Sequence, residues 1–227
     1  MKTVWLQKNS ARELVLFFNG WGMDERTGAH LLQESDGFLQ DLLVCHDYHT
    51  LQLPEEIFDD ISRYAHITLV AWSFGVWAAQ QVELPPVARS IAINGTLFPV
   101  NAEKGIHPDT FRATRASWSE ENQGRFYRRM CGSKEELALF STMAPDRSVI
   151  HQQEELGRLE EYVLCMGAMR APWSYDHAII GGRDLVFPSQ QQFTAWKGVP
   201  RTVISDMAHF PFFHFRNLQE VLACLST

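Results

Sequence analysis

An α/β fold, with a mostly parallel central sheet flanked by helices, is the architecture that this 227-residue sequence predicts. Two observations carry the prediction. Short apolar runs such as Glu13–Phe18 alternate with stretches of helical spacing through the first hundred residues, and the alternation resumes near residue 176. Between these parts, residues 104–170 contain many helix formers and no good strand signal. Repeated strand–helix units imply parallel strands joined by right-handed crossovers.

Each predicted strand is a short apolar run, as is typical of a strand buried on both faces of a sheet. These runs are 13–18, 42–45, 67–70, 88–93, 176–180 and 202–204. Helical spacing is found near 26–34, over 55–64, over 76–81, after Pro188 and over 218–225. Pro188 suits the first turn of its helix. We expect a single domain over residues 1–227, with an inserted helical cap at about 100–170 over the carboxyl edge of the sheet, where ligands bind in open α/β sheets.

Composition and charge exclude several classes of protein. The net charge of −7 argues against a general nucleic-acid binder, which would carry a basic excess. No apolar stretch approaches the ~18 residues that span a bilayer, and the N-terminal segment lacks the apolar core of a signal peptide. Of the four cysteines, Cys45, Cys165 and Cys224 lie in apolar runs, which predicts buried free thiols in a reducing compartment. We therefore expect a cytoplasmic protein.

The stretch Ala71–Gly75, with the sequence AWSFG, joins a predicted strand to a predicted helix. A serine on such a turn, followed two residues later by glycine, is typical of the nucleophile elbow of α/β-hydrolases, where a strained backbone lifts the hydroxyl clear of the sheet. The elbow usually begins with glycine, and here that place is taken by Ala71, the smallest residue with a Cβ. The alternative is that Ser73 only caps the following helix.

A serine nucleophile needs a base and an acid that orients the base, and α/β-hydrolases place them in the order serine, acid, histidine along the chain. Asp184 follows a predicted strand and the turn Gly181–Arg183, which is where the acid belongs. The alternative is an aspartate that only satisfies backbone amides of its turn. Asp176 and Asp206 are competitors.

His209 is the candidate base. It lies in an apolar loop between the last predicted strand and the last predicted helix. In such a partly dry site an acid can fix the tautomer of the imidazole. The alternative is a packed structural histidine, and His214 is the rival candidate.

The turn Asn19–Gly22 follows an early predicted strand and contains two glycines around a tryptophan. In this fold an oxyanion hole combines an amide of such a turn with the amide that follows the nucleophile. These would be the amides of Trp21 and Phe74; the alternative is a glycine-rich turn without a ligand. No G-x-G-x-x-G motif supports a dinucleotide site. The joint order of these features predicts a serine hydrolase of the α/β-hydrolase fold that needs no metal and no cofactor.

In four segments the sequence resembles the biotin-synthesis protein G family, whose members are pimeloyl-[acyl-carrier-protein] methyl ester esterases. The matching segments are Phe17–Asp24, Ala71–Ala78, Ile93–Thr96 and Ala208–Phe212. Alanine at the start of the elbow is consistent with that family. The resemblance implies hydrolysis of the methyl ester of pimeloyl-carrier protein, in the early part of biotin synthesis. It also implies that Ser73 is the nucleophile, His209 the base and Asp184 the acid, with oxyanion amides from Trp21 and Phe74.

The cap carries a local positive charge. Residues 104–134 contain seven Lys or Arg and three Asp or Glu, an excess of 7 − 3 = +4, so the remaining chain is near −11. Because a carrier protein is acidic, this asymmetry suggests that it docks on the cap. The candidate docking residues are Arg112, Arg115, Arg125, Arg128 and Arg129. A solvated helix surface is the alternative for each of them. The cap aromatics Phe111, Trp118, Phe126 and Tyr127 either line an acyl tunnel or pack the cap on the core.

Other functions stay open at this stage. A carboxylesterase or a thioesterase acting on another short acyl substrate would use the same residues. A non-catalytic hydrolase-fold module that binds a ligand or a carrier protein is a further alternative, although it has no need of an intact serine, acid and histidine set. The sequence determines neither the acyl length nor the oligomeric state.

Overall fold

The computed structural model describes residues 1–9, 11–35, 37–166 and 171–226. Its strands are β1 (Lys2–Gln7), β2 (Glu13–Phe18), β3 (Asp41–His46), β4 (His66–Trp72), β5 (Arg89–Ile93), β6 (His177–Gly181) and β7 (Arg201–Ile204). In these residues they form one seven-stranded sheet of order β1–β3–β2–β4–β5–β6–β7. All neighbours pair in parallel except β1 and β3, which are antiparallel. The mostly parallel sheet predicted from the sequence is thus confirmed.

Nine α-helices are present in the described residues. They are α1 (Arg26–Gln33), α2 (Glu55–Ile61), α3 (Phe74–Gln81), α4 (Pro108–Ala116), α5 (Glu120–Cys131), α6 (Lys134–Ser141), α7 (Val149–Met166), α8 (Ser189–Ala195) and α9 (Leu218–Ala223). A 3₁₀ turn, Cys224–Ser226, follows α9. The helices α4 to α7 lie between β5 and β6, in the segment for which the sequence predicts a cap, and we use the name cap for this segment. The last part of that predicted cap, residues 167–170, lies outside the described residues. No helix in the described ranges is both long and apolar enough to cross a membrane.

The sequence analysis did not predict β1. This strand pairs antiparallel with β3 at one edge of the sheet, with Val4 opposite Val44. Its side chains are only partly buried, whereas every residue of β3 is buried. An edge strand needs no continuous apolar run, so the pattern that identified the inner strands is weak there.

Local signals explain where the cap helices begin and end. The side chain of Ser119 accepts a hydrogen bond from the Asn122 amide at 3.3 Å, which caps the start of α5. Ser133 caps α6 in the same way, through the Glu136 amide at 3.1 Å. Gly132 ends α5 with a φ of 83°, in the left-handed region that favours glycine.

A few expectations about single residues differ from the structure. Cys165 is exposed, although its apolar surroundings predicted burial, because it lies on the outer side of the cap helix α7. Cys45 is buried in β3, Cys224 is partly buried, and both are free thiols. Pro188 immediately precedes α8 rather than standing in its first turn, with an extended ψ of 136°. The helix expected over 55–64 ends at Ile61.

Candidate active site

The nucleophile elbow is built by close backbone approach. Ser73 has φ 58° and ψ −128°, a conformation outside the usual regions for a non-glycine residue. A Cβ on Gly75 would lie 2.4 Å from the Phe18 carbonyl oxygen, so only glycine fits there. A Cβ on Gly95 would lie 2.3 Å from the Ser73 carbonyl oxygen. Ala71 lies opposite Ala92 on the neighbouring strand, and this small pair accommodates alanine at the first position of the elbow.

Three of the predicted side chains meet at this elbow. His209 Nε2 lies 3.0 Å from Ser73 Oγ, and His209 Nδ1 lies 2.9 Å from Asp184 Oδ2. All three residues are buried. The imidazole therefore bridges the hydroxyl and the carboxylate, in the arrangement that lets a histidine accept the proton of a serine.

Asp184 is held by several donors besides His209. Its Oδ1 accepts hydrogen bonds from the amides of Val186 and Phe187, both at 2.8 Å. Its Oδ2 also accepts a hydrogen bond from Gln192 Nε2 at 2.9 Å. A carboxylate with this many donors keeps a fixed orientation, so it can hold the histidine ring in one place.

The loop that carries His209 is tied to the strand ends. The Trp72 indole donates to the His209 carbonyl at 2.9 Å. Asn94 Nδ2 donates to the carbonyls of Ala208 and His209 at 2.8 and 3.0 Å, while its Oδ1 accepts from the Gly181 amide at 2.7 Å. Asn94 lies in a segment that resembles the family, but no role was predicted for it from the sequence. Its position directly after a strand, next to Gly95, was the available signal.

The rival candidates lie elsewhere. Asp176 precedes β6, at the opposite end of that strand from Asp184, and accepts hydrogen bonds from the Ser90 amide and hydroxyl at 2.8 and 3.0 Å. Asp206 and His214 are exposed. The structure therefore groups the first-choice residues and separates the competitors from Ser73.

The predicted oxyanion amides belong to Trp21, after β2, and to Phe74, at the start of α3. Within the described residues, neither N–H donates a hydrogen bond to another loop, turn or side chain. Both residues line the same cavity as Ser73 and His209. Two amides without another acceptor, on residues that line the same cavity as the serine, are suited to stabilise a developing oxyanion.

The cap helix α7 holds the turn that carries Trp21. The Trp21 indole donates to the Gln152 carbonyl at 2.8 Å, and Gln152 Nε2 donates to the Gly22 carbonyl at 2.8 Å. Glu155 Oε2 accepts from the Gly22 amide at 3.2 Å. Gly22 has a φ of 76°, in the region that favours glycine. Gln152 and Glu155 belong to no recognisable sequence motif, so neither was predicted as a site residue.

Glu155 is a fully buried carboxylate with a complete set of partners. Its Oε1 accepts from the Tyr48 amide at 2.8 Å, and its Oε2 lies 2.7 Å from Nη1 of Arg147. Arg147 is itself buried and also contacts Asp47 at 3.3 Å. Burial raises the pKa of Glu155 above its usual value, while the charge of Arg147 opposes that rise. We call Asp47, Arg147 and Glu155 the buried ionic network; it joins the cap to the loop after β3.

One trio of metal-ligand residue types occurs in the described part of the chain, formed by Asp47, His49 and His151 with ligand atoms within 4.8 Å of one another. Cations already lie at this trio. Arg147 is 3.3 Å from Asp47 and 3.2 Å from His151 Nδ1, and Lys2 Nζ is 3.0 Å from Asp47. The trio therefore forms part of an ion-pair cluster around the buried ionic network.

An apolar cavity opens beside Ser73. Its walls come from both the core and the cap, and include Phe111, Phe126, Leu156 and Val186. The predicted tunnel aromatics therefore divide: Phe111 and Phe126 line the cavity. Trp118 packs on Trp21 with ring centroids 4.6 Å apart, and Tyr127 packs on Phe140 at 4.8 Å.

The five candidate docking arginines have different surroundings. Three pair with acidic residues of the cap: Arg112 with Asp109, Arg115 with Glu160, and Arg125 with Glu121. Arg128 is exposed and has no ion pair among the described residues. Arg129 instead lines the cavity beside Ser73.

Comparisons with known proteins support the fold and the family. A family model described as pimeloyl-ACP methyl esterase BioG matches residues 1–221. A malonyl-[acyl-carrier protein] O-methyltransferase of Bacteroides fragilis is 40% identical over 190 residues, which cover 82% of this chain but only 37% of that protein. The chain thus spans little more than a third of the length of that relative.

Solved structures show the same architecture. The crystal structure of BioG from Haemophilus influenzae has a TM-score of 0.85 and 29% identity, over 96% of this chain and 98% of that one. A hydrolase from Pseudomonas aeruginosa has a TM-score of 0.65 and 13% identity, over 99% and 94% of the two chains, and shows the fold alone. The predicted α/β-hydrolase fold is confirmed.

Proposed function

Because the chain belongs to the BioG family of pimeloyl-ACP methyl esterases, we propose that it is a serine hydrolase that cleaves the methyl ester of pimeloyl-[acyl-carrier protein]. The single observation that carries the chemistry is the hydrogen-bonded series Ser73–His209–Asp184 at the mouth of an apolar cavity. The family and the hydrolase-fold neighbours support an esterase or a related hydrolase.

In the proposed mechanism Ser73 Oγ attacks the ester carbonyl while His209 Nε2 takes the hydroxyl proton. Asp184 stabilises the imidazolium that forms. The amides of Trp21 and Phe74 donate to the tetrahedral oxyanion. His209 then gives its proton to the departing methoxide, methanol leaves, and water activated by the same imidazole releases the acyl group from Ser73.

The methyltransferase name of one relative is compatible with this proposal. An O-methyltransferase acting on malonyl-[acyl-carrier protein] concerns a methyl group and a carrier-bound acid, as does an esterase that removes such a methyl group. The matched region is only 37% of that protein, so its name also covers sequence that this chain does not match. We do not propose methyl transfer for this chain, because its site has the residues of a hydrolase.

The remaining parts of the proposal concern the cap and the partner. Residues 1–227 would form one hydrolase domain whose cap spans about 100–170. The acidic carrier protein would dock on the positive cap, with the exposed Arg128 as the cation most available to it. The chemistry derived above uses only side chains and amides of the chain.

The proposal is tested with carrier protein that bears the methyl ester of pimelate. The wild type should convert it to the free acid with loss of the methyl group, measured by mass spectrometry of the intact carrier, and Ser73→Ala should not. Cleavage of the thioester instead, leaving the carrier without its acyl group, would favour a thioesterase. Conversion that does not depend on Ser73 would reject the serine mechanism.

A further inference from the structure

Two neighbouring arginines of the cap helix α5 have opposite environments. Arg128 is exposed on the outer surface. Arg129 is partly buried and lines the cavity that also contains Ser73 and His209. It is the only Lys or Arg among the described residues that line this cavity. A cation in an otherwise apolar cavity has a desolvation cost, which calls for an explanation.

Among the described residues, Arg129 has no partner that would justify this cost. Its Nε is buried without a hydrogen-bond acceptor, and its guanidinium forms no ion pair with any described residue. The contact it makes is with the ring of Phe126, whose centroid lies 5.4 Å from Cζ. Buried donors are nearly always satisfied in folded proteins, so an unsatisfied Nε on an arginine that lines a cavity indicates a missing acceptor.

Asp184 is the acidic residue whose charge acts most on Arg129, but its oxygens already accept hydrogen bonds from other groups. Asp184 raises the pKa of Arg129, although burial lowers it by more. The oxygens of Asp184, however, accept from His209, Gln192 and two backbone amides. Asp184 is therefore not the direct partner of Arg129, and a ligand in the cavity can supply the missing acceptor.

The proposed reaction itself produces a suitable acceptor. Hydrolysis of an ester adds water across the acyl–oxygen bond, so that an alcohol and a carboxylic acid leave the site. At neutral pH the acid loses its proton, because carboxyl groups of this kind have pKa values near 4 to 5. A planar guanidinium binds a carboxylate through two parallel hydrogen bonds.

We propose that Arg129 forms a carboxylate subsite of the acyl cavity, which binds the acid end of the product after hydrolysis. This inference rests on the proposed function, since a neutral methyl ester enters and an anion is formed. The subsite explains why one cation lies in an apolar cavity. It predicts that the product acid competes with the ester for the free enzyme.

Arg129 also lies where the cavity meets a groove on the protein surface, through which the product could leave. The cavity shares Thr114, Phe126 and Arg129 with a shallow surface groove that runs past Arg125. An acyl chain that withdraws through this groove would therefore carry its acid end past the guanidinium. Release of the product from Arg129 becomes a step that can limit turnover.

The test measures binding rather than turnover. Hexanoate, and its neutral counterpart hexanamide, are titrated by calorimetry into Ser73→Ala, into Ser73→Ala with Arg129→Gln, and into Ser73→Ala with Arg158→Gln as the control, since Arg158 is an exposed arginine of α7 outside the cavity. Loss of a hydrogen-bonded ion pair should weaken hexanoate binding by roughly tenfold or more in the Arg129→Gln variant. The Arg158→Gln control and the hexanamide affinities should stay within about twofold. Arg129→Lys, which keeps the charge, should retain part of the affinity.

Three results would overturn the subsite. They are unchanged hexanoate affinity in Arg129→Gln, an equal loss of hexanamide affinity in that variant, and no hexanoate binding to Ser73→Ala at all. An equal loss for both ligands would mean that Arg129 only shapes the cavity, and thermal unfolding of each variant would show whether its fold is retained. Binding of hexanoate needs no hydrolysis, so the binding result can be interpreted even if the protein proves not to be an esterase. Conversely, failure of hexanoate to bind at Arg129 would not affect the test of esterase activity.

Discussion

The two sides of the candidate site are stabilised by different parts of the molecule. On the core side, Ser73, Asp184 and His209 stand on loops that follow strands, and they bond to one another within 3.0 Å. On the cap side, the turn that carries the Trp21 amide is held by Gln152 and by Glu155 of α7. The proposed nucleophile is therefore positioned by the sheet, whereas one of the two proposed oxyanion donors depends on how the cap packs on the core. We expect these two sides to respond differently to mutation.

The largest effect is expected on the core side, from Ser73→Ala. Without the hydroxyl no acyl-enzyme forms, and kcat should fall by a factor on the order of 10⁶, as for the loss of the nucleophile in a serine protease. Hydrolysis of a p-nitrophenyl ester measures it, with circular dichroism as the check of folding. Residual turnover close to that of the wild type would show that the core side is not the catalytic half.

Asp184→Asn should rank second. The amide cannot accept from His209 Nδ1 in the same way and favours the wrong tautomer, so kcat should fall by about 10⁴. The matched control is Asp176→Asn, at the opposite end of β6, which should leave kcat unchanged within a few-fold. If Asp176→Asn lost as much activity as Asp184→Asn, the assignment of the acid would be wrong.

Glu155→Gln tests the cap side. The change weakens the bond from the Gly22 amide and removes the charge that balances Arg147, so the oxyanion turn should lose its fixed position. Since loss of one oxyanion donor costs roughly 10² to 10³ in kcat, displacing one should cost about 10-fold to 100-fold. KM should change little, and affinity for a boronic acid that mimics the tetrahedral state should fall in parallel with kcat.

The control for this variant is Glu154→Gln, an exposed neighbour on the same helix. It should leave both kinetic constants unchanged. A rise in KM with constant kcat in Glu155→Gln would mean that the cap side serves ground-state binding alone, and the contrast between the two sides would be lost.

The smallest effect is expected from the outer face of the cap, which contacts neither half of the site. Arg128→Glu should raise KM for carrier-bound ester several-fold at low salt, and the effect should shrink as salt is added. Free p-nitrophenyl esters should be hydrolysed as by the wild type. Arg63→Glu, on an exposed turn after α2, serves as the control of equal charge change. Equal effects of Arg128→Glu on free and carrier-bound esters would exclude docking through this face.

The three side chains of the core side could be predicted from the sequence, whereas the cap residues that hold the Trp21 turn could not. Ser73 lies in a short pattern that a strained strand-to-helix turn requires, and Asp184 and His209 follow apolar runs in the order that the fold imposes. Their signals are local, so they survive without knowledge of the tertiary structure. The parallel sheet brings the three residues together, because the strands that precede them end at the same edge.

Gln152 and Glu155 carry no comparable signal. Both residues lie on α7, whose pattern of apolar and polar residues is that of an ordinary helix. Both form hydrogen bonds with Gly22, which is 130 residues from Gln152 and 133 from Glu155 in the sequence. Only tertiary packing reveals that this carboxylate is buried. The same reason explains Arg129, which looked like one of five surface arginines but lines the cavity. Adjacent positions on a helix face different directions, and the sequence does not tell which of Arg128 and Arg129 points inward.

The buried ionic network of Asp47, Arg147 and Glu155 limits how the cap can move relative to the core. Swinging α7 away from the core would separate Arg147 from Asp47 and would remove the Tyr48 and Gly22 amides from Glu155, at a cost of several kcal/mol. These contacts oppose the lifting of the cap as one hinged lid. Amide hydrogens of α7 should exchange with solvent almost as slowly as those of the central strands, while α4 and α5 open more often. Substrate traffic would then depend on small local fluctuations of those two helices.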